Sequence, residues 1–291
     1  MQKRKLGKTD IYFTDISMGC WEIGGLEDPS WFMSAKDACE LVSFACENGI
    51  RSFDVADLYG NGRAEILLGQ GIKNYLDSVI ITKVGQLIGL DGDTAYFLFD
   101  KIGGNTLSDF SYDYIKFACN QSLKRLQRSY IDIYLLHNPS INDINNESIR
   151  ALEDLKKEGK IRATGVSSTT QEVLLKCASE NLVDAVEVLF SVAYPLNEDL
   201  VTICKNKGVG IIGRSPFMMP SMTKGGLFKN KKYLQLAKES NMSLPQYAIQ
   251  KCLDSKEIST LVVGMKNKFE ITENVSFLEN KKHFIKNSKF L

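Results

Sequence analysis

The sequence predicts a single α/β domain, a (β/α)8 (TIM) barrel, and three observations carry that prediction. Eight short apolar runs with the composition of buried parallel strands alternate with amphipathic stretches of helical periodicity. None of these runs is followed by the G-x-G-x-x-G turn of the rival doubly wound sheet. The 291 residues fit eight βα units without a linker-like segment, so we predict one domain over residues 1–291.

An N-terminal β-hairpin is the first predicted element. It spans residues 5–13, with Gly7 and Lys8 at its centre, and it precedes the first barrel strand. Two short antiparallel strands at this position would close one end of the barrel.

The predicted strands and helices then alternate along the chain. The strands span residues 16–21, 52–56, 79–84, 131–137, 163–167, 185–190, 210–215 and 261–265. The helices span residues 35–48, 63–76, 112–127, 146–158, 171–181, 197–207, 231–239 and 269–279, with a further helix at 245–254. Ser34 is placed to cap the first helix, Gly49 and Gly159 are placed to end two others, and Pro245 is placed to begin the further helix.

The composition excludes several classes of protein. Lysine and arginine (36) nearly balance aspartate and glutamate (35), which argues against nucleic-acid binding because phosphate contacts need a concentrated positive field. The seven cysteines form no C-x-x-C pair and accompany no histidine cluster, so we expect reduced thiols and no metal site. The basic start lacks the apolar segment of a signal peptide, and no apolar run approaches the roughly 18 residues of a membrane span. We therefore expect a cytoplasmic protein that does not act at a membrane.

Polar residues gather where the predicted strands end, which is the face of a (β/α)8 barrel that carries chemistry. The second strand ends near Asp54 and its loop contributes Tyr59. The next three strands end near Lys83, His137 and Ser167. Taken singly, these residues have structural explanations: a packing tyrosine, a satisfied ion pair, a core histidine. Their joint placement at one rim favours catalysis.

Six segments of the chain resemble the aldo-keto reductase superfamily, in its order and over essentially its whole length. They are LGKTDIYFTDISMGCWEIGG (6–25), FDVADLYGNGRAE (53–65), ITKVG (81–85), SLKRLQRSYIDIYLLHNP (122–139), GKIRATGVSS (159–168) and VVGMKNKFEITENV (262–275). The resemblance implies a (β/α)8 barrel that binds NADP(H), or in some members NAD(H), and reduces aldehydes and ketones by direct hydride transfer.

The same resemblance implies a catalytic tetrad of Asp54, Tyr59, Lys83 and His137. Tyr59 would protonate the carbonyl oxygen, and the Lys83 ammonium, paired with Asp54, would lower the phenol pKa from its ordinary value of about 10. His137 would bind the carbonyl oxygen and orient the substrate.

Two further residues are implied for the substrate pocket. Trp21, after the first strand, would form one wall of the pocket, with a place in the core as the alternative. Asn138 follows His137 and is equally well interpreted as a turn residue.

The implied nicotinamide site departs from the family pattern. Ser167 matches the pattern, but Ser168 stands where asparagine is usual and Glu187 where glutamine is usual. An ionised Glu187 can accept from the carboxamide NH2 but cannot donate to its oxygen. Arg214 replaces the stacking aromatic residue, and its guanidinium plane can still lie against the ring.

Two loops are implied to bind the rest of the cofactor. The pyrophosphate loop begins at Ser215 and Pro216 and extends to residue 225. The loop after the last strand would bind the adenosine end through four residues: Gly264, Lys266, Glu273 and Asn274. Lys266 favours the 2′-phosphate of NADPH, whereas Glu270 is an unfavourable charge beside a phosphate, so NADH stays open.

The substrate is left open by the sequence. Residues 85–110 look like an insertion over the active-site face, and only residues 280–291 follow the last predicted helix. The pocket would then be open or completed by a neighbouring subunit, which suits a sugar as well as a simple aldehyde or ketone. An NAD-linked sugar dehydrogenase working in the oxidative direction and a regulatory barrel that binds cofactor without turnover are the alternatives to a carbonyl reductase.

Overall fold

Eight parallel strands close on themselves into a barrel in the computed structural model, which describes residues 3–25, 33–86, 108–218 and 229–287. In order around the barrel they are β3 (Ile16–Gly19), β4 (Ser52–Asp54), β5 (Val79–Val84), β6 (Ile131–His137), β7 (Ile161–Ser167), β8 (Ala185–Leu189), β9 (Gly210–Arg214) and β10 (Thr260–Gly264). β10 pairs with β3 and closes the circle. The predicted fold class is confirmed.

Helices follow the strands and cover the outside of the barrel. They are α1 (Trp21–Gly24), α2 (Ala35–Glu47), α3 (Arg63–Gly71), α4 (Tyr112–Leu126), α5 (Asn146–Lys157), α6 (Gln171–Ser179), α7 (Glu198–Lys207), α8 (Lys231–Glu239), α9 (Leu244–Asp254) and α10 (Lys268–Asn287). The predicted cap is confirmed at Ser34, whose side chain accepts a hydrogen bond from the Asp37 N–H. Pro245 lies one residue inside α9, where Ser243 is the N-cap.

The N-terminal hairpin consists of β1 (Lys3–Lys5) and β2 (Tyr12–Thr14), which pair antiparallel. Leu6, Ile11 and Phe13 are completely buried and pack in one cluster with inward-facing residues of the barrel strands. The Lys8 N–H donates to the carbonyl of Gly208, just before β9 begins, at 2.8 Å. The hairpin therefore closes the end of the barrel where the strands start, as the sequence predicts.

Several element boundaries differ from the prediction, most of them by one or two residues, and three of the differences affect the description of the chain. The first barrel strand ends at Gly19, so Trp21 begins α1 instead of ending a strand. α3 ends at Gly71 instead of residue 76, because the chain turns through residues 72–78 to enter β5. α10 continues to Asn287, past the predicted end at residue 279, so fewer residues follow the last helix than expected.

No helix in the described part of the chain is long and apolar enough to cross a bilayer. The seven cysteines all lie within it and all are free thiols.

Candidate active site

A buried ion pair joins the ends of β4 and β5. The Lys83 ammonium donates to Asp54 Oδ1 at 2.6 Å and to the carbonyl oxygen of Val55 at 3.1 Å, and the Lys83 side chain is only 1% exposed. Burial alone would lower the pKa of Lys83, but Asp54 and Glu187 outweigh it and raise the pKa above its usual value. Lys83 is therefore a fixed positive charge at the rim.

Tyr59 lies in the loop that leads from β4 to α3. Its ring is 5.2 Å from Lys83 Nζ and meets the His137 ring edge to face, with 6.1 Å between the ring centroids. The loop turns tightly at Gly60, which has a φ of +56° and whose Cβ position lies 2.7 Å from the carbonyl oxygen of Gly24. Only glycine allows this close approach, which fixes the position of Tyr59.

The pKa of Tyr59 differs from the expectation based on Lys83 alone. Burial raises it to about 12, although Lys83 acts in the opposite direction. Asp54 and Glu187 also raise it, because their charges offset that of Lys83. The expected net lowering of the Tyr59 pKa is therefore wrong in direction, and Tyr59 keeps its proton at neutral pH.

His137 ends β6 and is neutral. Burial and the nearby Lys83 lower its pKa to about 3. Its Nδ1 atom is buried and has no hydrogen-bond partner in the described part of the chain. The Gln86 side chain donates to the His137 carbonyl oxygen at 2.9 Å, a positioning contact for which the sequence offers no signal.

The two residues implied for the substrate pocket differ in burial: Asn138 is exposed, whereas Trp21 is half-buried. Asn138 is exposed, has a left-handed φ of +50°, and donates its backbone N–H to the Ser167 carbonyl at 2.7 Å. This geometry favours the turn interpretation of Asn138. Trp21 is half-buried at the start of α1, beyond the end of β3.

Glu187 is completely buried and connects three neighbouring strands. Its Oε1 accepts from Ser167 Oγ at 2.8 Å and lies 3.2 Å from Arg214 Nε, while its Oε2 lies 3.9 Å from Lys83 Nζ. Burial raises the pKa of Glu187, but Lys83 and Arg214 outweigh it and hold the pKa below its usual value. Glu187 is therefore an ionised carboxylate among the proposed catalytic residues.

The strand register explains why these side chains meet. His137 pairs with Ser167 across β6 and β7, and Ser167 pairs with Glu187 across β7 and β8. Residues at one level of neighbouring parallel strands lie side by side on the barrel wall. The structure thus brings together seven predicted residues: Asp54, Tyr59, Lys83, His137, Ser167, Glu187 and Arg214.

Three other residues implied for the cofactor lie in turns just outside this group. Ser168 donates its N–H to the Glu187 carbonyl, and its hydroxyl accepts from the Thr170 N–H at the start of α6. Ser215 has a left-handed φ of +61° and, with Pro216, begins the turn that follows β9. Residues 219–225 of the implied pyrophosphate loop lie outside the described residues.

The loop after β10 is held by Glu270. Its carboxylate accepts from the Lys266 N–H at 2.8 Å and from the Asn267 side chain at 3.0 Å. Asn274 is buried, and its Oδ1 has no hydrogen-bond partner among the residues that the structure describes, while the carbonyl of Glu273 accepts from the Gln246 side chain. Glu270 thus occupies the backbone donor of Lys266 that a phosphate would otherwise use.

Gly264 lies under a carboxylate that the sequence analysis did not identify. Glu22 Oε1 lies in the space that a Cβ on Gly264 would occupy. Burial raises the pKa of Glu22 to about 7. Nothing in the sequence signals this contact, because it depends on α1 folding back over the end of β10.

A second buried ion pair supports the Tyr59 loop. Glu65 is completely buried, and its two oxygens accept from Thr82 Oγ1 and from Arg125 Nε, both at 2.6 Å. Glu65 and Arg125 both lie in the segments that resemble the family, so the resemblance could have identified this ion pair from the sequence.

The segment predicted as an insertion, residues 85–110, is closed at its base by an isolated bridge between Gln86 and Ser108. Residues 87–107 lie outside the described residues.

The exposed and unpartnered atoms of this site suit a nicotinamide. Glu187 Oε2 is a buried acceptor without a hydrogen bond in the described part of the chain, as the NH2 group of a carboxamide requires. Arg214 is 20% exposed beside it, so its guanidinium is accessible to a flat ring. Within the described ranges, no group of three histidine, cysteine or acidic side chains is arranged to hold a metal ion.

Comparisons with known proteins agree with this geometry. The model of the aldo/keto reductase family matches residues 15–285. The chain is 29% identical to L-galactose dehydrogenase of Arabidopsis thaliana over 95% of this chain and 88% of that protein. It is 26% identical to the NADH-specific methylglyoxal reductase of Escherichia coli (strain K12), over 96% and 94%. The structure of aldo-keto reductase AKR11C1 from Bacillus halodurans (holo form) superposes with a TM-score of 0.75 at 26% identity, over 96% of this chain and 91% of that one. The chain belongs to the aldo/keto reductase family.

Proposed function

We propose that this chain reduces the carbonyl group of a small aldehyde, ketone or sugar to an alcohol with NADPH, and that Tyr59 is the proton donor. The observation that carries the proposal is the arrangement of Tyr59 between the Lys83–Asp54 pair and the neutral His137 ring. Family members in general carry out NAD(P)H-dependent carbonyl reduction.

The cofactor would be held along one side of the rim. Ser167, Glu187 and Arg214 suit the nicotinamide, and Ser168, Ser215 and Pro216 border it. The adenosine end falls to Gly264 at the end of β10, Lys266 in the loop that follows, and Glu273 and Asn274 in α10. When bound, the reduced nicotinamide supplies the hydride to the carbonyl carbon.

The protein's own residues manage the proton. Tyr59, with a pKa of about 12, is protonated at neutral pH and transfers its proton to the carbonyl oxygen. The Lys83 ammonium lies 5.2 Å from the ring and stabilises the phenolate that this transfer leaves. Asp54 holds Lys83 in place, and the neutral His137 ring offers a hydrogen bond that orients the carbonyl oxygen.

NADPH is proposed over NADH because the family resemblance assigns Lys266 to the loop that would bind a 2′-phosphate. A specific observation favours the second candidate, an NAD-linked dehydrogenase: Glu270 already accepts the Lys266 N–H and places a negative charge in the same loop. The similarity to an NADH-specific reductase favours NAD(H) as the cofactor of this second candidate, without bearing on the direction of the reaction. We propose that the activity is cytoplasmic and acts on a small molecule. The substrate pocket is then either open or completed by a neighbouring subunit.

The test is turnover of NADPH and NADH over a panel of aldehydes, ketones and sugars, followed by nicotinamide absorbance in both directions. The proposal predicts carbonyl-dependent oxidation of NADPH. Faster reduction of NAD+ with an alcohol or sugar would favour the second candidate. Tight cofactor binding without turnover of any panel member would contradict both and favour a regulatory barrel.

A further inference from the structure

Glu187 is a negative charge in a place where the reaction changes the charge of its cofactor. The carboxylate is fully buried and contacts Ser167 and Arg214, and its Oε2 lies 3.9 Å from Lys83 Nζ. The proposed mechanism does not require the charge of Glu187 to hold Lys83, because Asp54 already pairs with Lys83 at 2.6 Å. The role of Glu187 is therefore a separate question.

The charges around Glu187 balance only because it is ionised. Two cations, Lys83 and Arg214, face two carboxylates, Asp54 and Glu187, and His137 is neutral. Burial and the Glu187 charge raise the pKa of Asp54, and Lys83, 2.6 Å away, lowers it. Replacing Glu187 by an amide removes one of the two causes that raise this pKa, so Asp54 stays ionised beside Lys83 and Arg214 is left as the one uncompensated positive charge. Arg214 Nε is buried and lies 3.2 Å from Glu187 Oε1, so solvent would screen that charge poorly.

An oxidised nicotinamide ring carries a positive charge, whereas a reduced ring is neutral. A negative group beside the ring therefore stabilises the oxidised form selectively, and an uncompensated cation destabilises it. We propose that Glu187 is a specificity-determining residue that neutralises Arg214 and shifts the binding preference of this protein toward the oxidised cofactor.

This inference rests on the proposed function, because it assumes that a nicotinamide binds beside Glu187. It deepens that function by addressing direction. The oxidised cofactor is formed together with the alcohol, so a site that stabilises it shifts the equilibrium between bound reactants toward carbonyl reduction. The carboxylate at position 187 thus favours reduction more than an amide would.

The experiment measures the dissociation constants of NADP+, NADPH, NAD+ and NADH by calorimetry for the wild type and three variants. The quantity of interest is the ratio of the oxidised to the reduced dissociation constant, because contacts made equally to both forms cancel in it. Glu187→Gln is expected to raise the ratio about tenfold. Arg214→Gln is expected to lower it, and the double variant is expected to restore it to within about twofold of the wild type, because local neutrality returns.

Glu270→Gln is the matched control. It also removes one carboxylate, but in the first turn of α10, so it is expected to change oxidised and reduced affinities together. A merely structural role of Glu187 would likewise weaken both forms equally and leave the ratio unchanged.

An unchanged ratio in Glu187→Gln and in Arg214→Gln would overturn the inference and leave the proposed function intact. If Glu187→Gln fails to fold, the opposite shift expected for Arg214→Gln still decides the question. A wild type that binds none of the four cofactors would overturn the proposed function, and this inference with it.

Discussion

At the residue scale, burial dominates the chemistry of the rim. Tyr59, His137 and Glu22 all have pKa values displaced by loss of solvent first and by neighbouring charges second. A tyrosine with a pKa of about 12 is a weak acid, so its proton transfer depends on the alkoxide that forms in the reaction and on the Lys83 charge that stabilises the phenolate. Lys83 is thus more important to the product of proton transfer than to the resting tyrosine.

Lys83→Met tests this role directly. The substitution leaves the buried Asp54 without its partner, so we expect a loss of about 3–5 kcal/mol in the free energy of unfolding. Turnover should fall at least about 100-fold, because the phenolate loses its stabilising charge. Urea denaturation and steady-state kinetics measure the two effects.

Lys83→Met combined with Asp54→Asn is the control, since it removes both charges and should recover part of the stability but none of the turnover. Lys116→Met, at an ion pair on the surface, should change neither quantity measurably. Full stability in Lys83→Met would mean that the buried pair is not formed.

His137 makes stability depend on pH. Because its folded pKa is about 3 and an unfolded histidine has a pKa of about 6.5, the unfolded state binds the extra proton between these values. The free energy of unfolding should therefore fall as the pH falls from about 6.5 toward 3.

The contribution of His137 is the difference between the wild type and His137→Asn. Between pH 6.5 and 5.5 the wild type should lose about 1 kcal/mol more than the variant in denaturant unfolding. Equal losses in the two proteins would show that folding does not lower the pKa of His137.

At the scale of elements, the bounds of the strands were predicted more accurately than the ends of the helices. The strand from Val79 to Val84 and the strand from Ile131 to His137 agree with the prediction at both ends, because buried parallel strands are continuous apolar runs with polar residues on either side. α3 ends five residues early and α10 runs eight residues long, because amphipathic periodicity continues through turns and frayed ends alike. Trp21 was assigned to a strand because its aromatic side chain extends an apolar run that the backbone has already left.

The hairpin contributes to stability without contributing to the site. Phe13→Ala should lower the free energy of unfolding by about 3–5 kcal/mol, because the ring is completely buried under the barrel. Cofactor affinity should stay within about twofold of the wild type, since the hairpin lies at the opposite end of the strands from the rim.

Tyr12→Ala is the matched control, because the neighbouring Tyr12 side chain is 51% exposed. Its unfolding transition in urea should match that of the wild type. A loss of cofactor binding in Phe13→Ala at temperatures where the protein stays folded would argue against the separation of the two ends.

At the scale of the whole molecule, the barrel explains which parts of the site were predictable. Its topology brings the C-terminal ends of β4, β5 and β6 to one rim, so the proximity of Asp54, Lys83 and His137 followed from the order of strands. The contact of Glu187 with Arg214 and the position of Glu22 over Gly264 did not follow, because they depend on side-chain directions and on where α1 folds. The net direction of the Tyr59 pKa was missed because it depends first on burial, which raises the pKa, and then on Asp54 and Glu187, whose charges offset that of Lys83.

The central claim is that Tyr59 donates the proton, and one comparison tests it most directly. Tyr59→Phe removes only the hydroxyl, so kcat should fall at least about 100-fold while the dissociation constant of NADPH stays within about twofold of the wild type. Tyr130→Phe, an exposed tyrosine that precedes β6, should behave as the wild type does. Turnover in Tyr59→Phe equal to that of the wild type would contradict the assignment of Tyr59 as the proton donor.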